Sequence, residues 1–336
     1  MRVYEIQDNF GMDNLNLVER PSPQVGPGQV KLKMRAVSLN FRDYLMIQGL
    51  YNPRQALPLI PCSDGVGEVV EVGAGVDERW MGKRVAPIFA QGWISGRPTR
   101  EKLSTTLGGP LDGTLAEEMV VSAEAVVEVP EHLSDAQGAT LPCAAVTAWN
   151  ALVEQGDVTA GDTVLTLGTG GVSIFALQFA KMLGARVIIT SSSDEKLERA
   201  AKLGADEGIN YGEDKKWGKT AAKLAGGPGV DVVVEVGGAG TLEQSIRAAR
   251  IGGQISLIGV LAGGSQALNI IPVVMRNLRI QGIIVGHREM FERMNQAISL
   301  HQIEPLVDRV VTFDEVPQAF EVMAQGGHMG KICVTL

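Results

Sequence analysis

Up to about residue 129 the chain alternates apolar and polar residues in short runs, such as Gln29-Val30-Lys31-Leu32-Lys33-Met34-Arg35, broken by Gly and Pro clusters. Alternation puts every second side chain on one face of a sheet, so this part is expected to be a small β-barrel or sandwich. From about Thr163 the texture changes to apolar strand-like runs that alternate with amphipathic helical segments. That is the pattern of a parallel sheet covered on both faces by crossover helices. Six such runs occur, at 163–167, 186–190, 207–210, 231–236, 254–260 and 278–285, enough for a complete doubly wound α/β sheet. Past Gly286 come a helix at 289–299, a strand at 309–313, a helix after Asp314 and a last strand at 331–335. This tail exceeds what the finished sheet needs and is expected to pack back on the first domain. The one long polar stretch, 91–113, carries several Gly and two Pro and is expected to be a surface loop or lobe.

The first apolar run leads into Gly168-Thr169-Gly170-Gly171-Val172-Ser173, followed by helical spacing up to Gly184. Strand, tight glycine turn and helix are what a pyrophosphate requires. Glycines let the backbone approach it, and the free N–H groups and positive helix end stabilise its charge. The expectation is a Rossmann-type unit binding a nicotinamide dinucleotide. Gly168 and Gly170 fill the first two fingerprint positions, while Ser173 stands where Gly or Ala is usual. The second run ends in Ser191-Ser192-Ser193, with Lys196 one helical turn on. An NAD enzyme places an acid there for the ribose 2′-hydroxyl. Hydroxyls and a lysine instead suit a 2′-phosphate, so NADPH is preferred over NADH. Asp194 and Glu195 lie close enough to count against this, and at the start of a helix they are equally well explained as partners of its dipole.

Composition narrows the class. A chain of 336 residues with 45% hydrophobic and 20% charged positions is long enough for two globular domains. A formal net charge of -8 without basic clusters speaks against nucleic acid and anionic membranes and for a small-molecule substrate. No apolar run approaches the roughly 20 residues of a membrane span, and the chain opens directly on strand-like alternation, so a cytoplasmic protein is expected. Cys62, Cys143 and Cys333 are three and far apart, which argues against a disulfide framework.

Several linked motifs resemble the medium-chain dehydrogenase/reductase superfamily over almost the whole chain. They are Ser38-Leu39-Asn40-Phe41-Arg42-Asp43 with Gly49-Leu50-Tyr51, the stretch 61–67 leading to Val76, Gly82-Lys83-Arg84-Val85, the segment 139–152, and the glycine turn with Gln178-Phe179-Ala180-Lys181. The resemblance implies a GroES-like β-barrel catalytic domain at 1–122 and 287–336 around a Rossmann domain at 123–286. It looks closest to the zinc-independent NADPH quinone oxidoreductase and enone reductase branch. Zinc alcohol dehydrogenases carry a Gly-His-Glu triplet where this chain has Cys62-Ser63-Asp64. By the same resemblance Asn40 stands for the first zinc ligand, Ser63 for the imidazole and Cys143 for the third. Catalytic zinc takes three ligands from His, Cys, Asp and Glu, so no zinc is expected. The four cysteines of a structural zinc lobe are missing from 91–113.

The resemblance places Asn40, Asp43, Tyr51 and Thr147 on the floor of the site. Tyr51 is then the candidate donor, Asn40 polarises a substrate oxygen and Thr147 touches the nicotinamide. Each has a plainer alternative. Asn40 and Asp43 can cap the helix that starts near Phe41, and Tyr51 can be an amphipathic surface ring. Arg42 is read as a solvated or paired charge. For the cofactor the resemblance adds Tyr211, the backbone of Val236-Gly237-Gly238, Ile258-Gly259 and Val285-Gly286, and more weakly Lys331. It also implies a homodimer through an edge strand around 269–284. None of His132, His287, His301 and His328 is expected to be a base, although His287 follows Gly286 at the domain junction. Without a Lewis acid, direct carbonyl reduction lacks a strong stabiliser for the oxyanion. The expected reaction is therefore hydride transfer to a quinone or an α,β-unsaturated carbonyl. An NAD(P)-dependent alcohol dehydrogenase or carbonyl reductase and a non-catalytic NADPH-binding protein are the alternatives.

Overall fold

The structure, a computed structural model, describes residues 1–336. The chain divides into two compact units, Thr147–Val285 and a second made of Met1–Val146 with Gly286–Leu336.

In Thr147–Val285 the apolar runs form one sheet of six parallel strands. In spatial order they are Glu207–Asn210, Arg186–Ser191, Thr163–Leu167, Val230–Glu235, Ala249–Leu257 and Arg279–Gly282. Counted along the chain this is 3-2-1-4-5-6, the doubly wound Rossmann order. Thr163–Leu167 is buried at all five positions because neighbours pair with it on both sides and helices cover its faces. The core runs from Leu165, Ile188 and Val233 to Trp217 and Ile246. On the other side Phe175 stacks on Phe179 at 5.8 Å, and Trp149 meets Phe179 edge-on. Two strands differ from the sequence pattern. The fifth begins at Ala249, five positions early, because Val230 pairs with Ala249 before a register shift. The sixth is only Arg279–Gly282, since the bond from Ile283 N–H to the Leu257 carbonyl is its last to the neighbouring strand and Val285 takes φ 36°.

The other unit is a GroES-like β fold. Its seven-stranded sheet runs Val307–Thr312, Lys331–Thr335, Gln29–Ser38, Asp64–Val72, Arg84–Pro87 and Val126–Glu128, with Glu118–Ser122 also paired to Gln29–Ser38. Arg2–Ile6 and Leu15–Glu19 form a separate antiparallel pair. The tail joins this sheet as expected, and three of its strands bring remote parts of the sequence together. Cys333 lies opposite Ser38 on one side, and Asp64 lies opposite Ser38 on the other.

Residues 123–146, which the resemblance gave to the Rossmann domain, belong to the β-rich unit instead. The reason is pairing. Val126–Glu128 completes the sheet beside Arg84–Pro87, and Cys333 Sγ reaches the Ala136 carbonyl at 3.3 Å. The 91–113 stretch is likewise more than a solvated loop. It holds a short helix, Arg100–Leu103, capped by Thr99, and it buries Trp93 and Leu107. Its end lies flat on the 60–62 segment, with Gly113 N–H donating to the Ile60 carbonyl at 2.7 Å. A Cβ at Gly113 would sit 2.0 Å from the Cys62 oxygen, so only glycine fits.

Candidate functional site

The glycine turn of the Rossmann unit is built from backbone. Gly168 takes φ 73°, a conformation L side chains rarely adopt, and its N–H donates to Thr190 Oγ1 at 3.2 Å. Gly170 precedes the 12-residue helix Gly171–Met182 with no side chain capping it, so the first helical N–H groups stay available to an anion. A Cβ built on Gly168 or on Gly170 would meet nothing within 4 Å. That vacant cradle fits a pyrophosphate. Ser173, the departure from the fingerprint, is buried and spends its hydroxyl on the Leu167 carbonyl at 2.6 Å. A hydroxyl therefore fits where Gly or Ala usually packs. Thr169 is buried and Val172 half-buried beside the turn.

The end of the second strand gathers Ser191, Ser192, Ser193, Lys196 and Tyr211. Tyr211 N–H donates to the Ser191 carbonyl at 3.0 Å, which sets the third strand's end beside the serines. Ser191 Oγ accepts from Ser193 N–H, and Ser193 Oγ caps the next helix by accepting from Lys196 N–H at 3.3 Å. Asp194 accepts from the Asn210 amide at 2.8 Å. It is thus held at a helix start, as the dipole reading requires.

A residue missed in the sequence organises the third glycine element. Glu235, wholly buried, accepts from Gly237 N–H at 2.8 Å, Gly238 N–H at 3.0 Å and Thr241 Oγ1 at 2.6 Å, and also from Ser245 Oγ. Its backbone carbonyl accepts from Ile258 and Gly259 N–H. One acid therefore fixes two of the three loops that the resemblance assigned to the cofactor, and the only signal was an acid at the end of an apolar strand. Asn150, equally missed, donates to the Val285 carbonyl at 2.7 Å. Thr147 is buried in the helical stretch Val146–Trp149, which has a π-helical turn on either side.

In the β-rich unit the sheet register assembles a buried polar cluster. Continuing the pairing of Cys333 with Ser38 by two residues sets Lys331 opposite Asn40. Lys331 is only 4% exposed, and its Nζ donates to Asn40 Oδ1 and to the Leu39 carbonyl, each at 2.5 Å. Asn40 Nδ2 lies 3.5 Å from Ser63 Oγ, Ser63 Oγ donates to Asp64 Oδ1 at 2.7 Å, and Asp64 Oδ2 accepts from Cys143 N–H at 3.1 Å. Burial raises the Asp64 pKa, while the Lys331 charge and the Asn40, Ser63 and Cys143 donors oppose that rise.

Asp43 lies beneath Asn40. Its Oδ2 accepts from Asn40 N–H at 2.8 Å, the return bond of a capping box, and it is fully buried. The capping reading of Asp43 is the one the helix start displays, and the side chain has no exposed surface. Burial pushes its pKa up to about 6, with Arg42 partly offsetting this and Asp64 adding to it. Tyr51 is about half exposed and lies against Arg42. Arg42 itself is not a solvated charge. Its guanidinium sits between the rings of Tyr51 and Phe89, 5.0 and 4.9 Å from their centroids, and donates to the carbonyls of Leu107 at 2.9 Å and Gly109 at 2.7 Å. It pins the 91–113 stretch to the helix Phe41–Ile47. His287 caps the helix Arg288–His301 by accepting from Met290 N–H at 3.3 Å and packs edge-on against Trp93. That is a structural role.

A sheet with a phosphate-cradling glycine turn and a GroES-like unit together define an NAD(P)-dependent oxidoreductase of the alcohol dehydrogenase type. More particularly, the chain belongs to the medium-chain dehydrogenase/reductase superfamily, in its zinc-type alcohol dehydrogenase-like group. Residues 26–131 match the family described as alcohol dehydrogenase GroES-like domain, and residues 171–300 match zinc-binding dehydrogenase. A zinc-type alcohol dehydrogenase-like protein of Schizosaccharomyces pombe is 42% identical, with 99% of each chain covered. Acryloyl-coenzyme A reductase of Metallosphaera sedula is 30% identical over 94% of this chain and 95% of its own. A crystal structure of an NAD-dependent alcohol dehydrogenase matches with a TM-score of 0.92 at 30% identity, covering 100% of both chains.

The family description names zinc, and the residues here do not fit it. At the positions that the resemblance assigns to the three ligands stand a neutral amide, a hydroxyl and one thiol, Cys143, whereas catalytic zinc takes three ligands from thiolate, imidazole and carboxylate. The Asn40 oxygen already holds an ammonium, which would repel a dication at this range.

No helix is long and apolar enough to cross a membrane.

Proposed function

We propose that this chain is an NADPH-dependent oxidoreductase that transfers hydride to a quinone or an α,β-unsaturated carbonyl without zinc. The observation that carries the reading is the Lys331–Asn40 pair, bonded at 2.5 Å where zinc relatives place a ligand. A site with only neutral donors and one remote ammonium favours acceptors that spread their own charge. Enolates and quinolates do so, and simple alkoxides do not. The reduced nicotinamide, when bound, supplies the hydride. Asn40 offers an amide donor to the substrate oxygen, Tyr51 stands as proton source, and Asp43 holds Asn40 from below. Thr147 faces the nicotinamide ring in this reading, and the turn from Gly168 to Val172 holds the pyrophosphate.

Preference for NADPH rests on Ser191, Ser192, Ser193, Lys196 and Tyr211 around the position of a 2′-phosphate, with Asp194 drawn off by Asn210. Titrating the chain with NADPH and NADH tests it, and tighter NADH binding would overturn it. A second reading, an NAD(P)-dependent alcohol dehydrogenase, is favoured by the names of several relatives. An oxidation screen of NADPH against enones, quinones and aldehydes, on chelator-dialysed protein, separates the two. Turnover of enones or quinones supports the proposal, and turnover confined to aldehydes and restored by zinc favours the second.

The same reading includes a homodimer. The short edge strand Arg279–Gly282 and the neighbouring helix Ile271–Met275 leave Ile270, Ile271, Val274 and Met275 between 64 and 74% exposed. A second copy pairing along that edge would cover them. Light scattering should give twice the 35.7 kDa chain mass, and a monomeric mass at micromolar concentration would contradict it.

A further inference from the structure

Lys331 Nζ donates to two oxygens of the segment that carries Asn40. A buried lysine is costly unless its charge is satisfied, so its place at the centre of the cluster calls for a reason. Two of its three hydrogens are fixed on the Leu39 and Asn40 oxygens. The Lys331 charge in turn acts on the buried Asp64 carboxyl and opposes the rise that burial gives its pKa. An asparagine side chain is nearly symmetric in shape and can turn either end outward. Here it cannot turn, because exchanging its ends would set the amide hydrogens against the ammonium.

We propose that Lys331 is a positioning residue for Asn40: by holding the side-chain oxygen it fixes the amide so that Nδ2 serves as the donor to a substrate oxygen. The ammonium also draws electron density from the amide and strengthens that donor. One Nδ2 hydrogen is directed at Ser63 and Asp64, and the second is the one offered to substrate. In the conjugate reduction bound NADPH would supply the hydride and its electron pair to the β-carbon and would leave as NADP+. Electron density moves onto the substrate oxygen, which Asn40 stabilises while keeping both its hydrogens. The enolate then takes its proton from Tyr51 or water. A single ammonium, acting through an amide, thus stands in for the direct contact of a metal ion. The inference rests on the reductase reading above.

The test compares wild type, Lys331→Met, Lys331→Arg and Asn40→Asp in the full chain. The first readout needs no turnover: the side-chain amide pair of Asn40 in ¹⁵N-labelled protein, assigned by its loss in Asn40→Asp. Lys331→Met should shift that pair and speed its solvent exchange at least about tenfold, and an unchanged pair would overturn the proposal. The second readout is kinetic. Lys331→Met should lower kcat by on the order of 10- to 100-fold with KM for NADPH unchanged, as for loss of one oriented donor. Lys331→Arg, which keeps charge and donors, should regain most of that loss, and equal kcat in wild type and Lys331→Met would refute the role. Asn40→Asp keeps the fold through an ion pair with Lys331 and should lose kcat to a similar degree. Wild type that reduces no enone or quinone would sink the reductase reading, while the amide-pair result would still stand or fall alone.

Discussion

The glycine turn at 168–171 and the cluster around Lys331 are built in opposite ways. The turn is empty: Gly168 and Gly170 have nothing within 4 Å of where a side chain would begin, and backbone N–H groups do the work. The cluster is full, since Asn40, Asp43, Ser63, Asp64 and Lys331 are all less than 10% exposed and bond mainly to one another. A backbone turn with no side chain packed over it leaves room for a pyrophosphate, so changing it should alter binding and spare the fold. A crowded network of buried polar groups should answer first in stability, because each group depends on its partners.

Asp43 offers the largest expected effect. Its pKa is raised from 3.8 to about 6 by burial, so the fold favours the protonated acid. Its contribution to stability is complete below the unfolded pKa and is lost as pH rises through the folded value. At about 1.36 kcal/mol per pKa unit this amounts to as much as about 3 kcal/mol between pH ~4 and ~6. Urea unfolding across that range should show Asp43→Asn gaining on wild type as pH rises. A constant difference between the two would remove Asp43 from the cluster's electrostatics.

Gly170→Val sharpens the comparison from the other side. Gly170 has φ -77° and ψ -179°, which any residue adopts, so the substitution should leave the melting temperature almost unchanged. Its side chain would fill the cradle and weaken NADPH binding by on the order of 100-fold, about 2.7 kcal/mol. Loss of stability without loss of affinity would mean the open space is not a phosphate site.

Arg42→Lys is expected to do least, about 1–2 kcal/mol of stability, because an ammonium cannot fill the planar slot between Tyr51 and Phe89 or fork onto two carbonyls. Faster proteolysis within 91–113 should accompany it. Unchanged cleavage would show that the stretch is held by other contacts.

The same contrast governs what could be read from the sequence. The turn and its strands were legible because each is local: glycine spacing, apolar runs and helix periodicity lie within a few dozen residues. The sixth strand was overextended because an apolar run does not reveal where the chain leaves its ladder, as Val285 does at φ 36°. The cluster was not legible as a network. Its members come from positions 40, 43, 63, 64 and 331, and the pairing of both Asp64–Val72 and the last strand with Gln29–Ser38 joins them. Lys331 therefore read as a weak cofactor ligand, and Arg42 as an ordinary charge. Glu235 and Asn150 passed unnoticed because a satisfied buried polar group carries no pattern. Residues 123–146 were misassigned for a related reason, since their strand pairs with Arg84–Pro87, some forty positions back.

The central claim is that hydride goes to an activated double bond under the control of side chains alone. It is tested most directly by following deuterium from NADPH labelled at the nicotinamide C4, with metal-stripped protein and a simple enone. The account predicts a saturated ketone carrying one deuterium at its β-carbon, formed equally well with and without chelator. Deuterium at the carbinol carbon of an unsaturated alcohol, with activity that returns only when zinc is added, would contradict it.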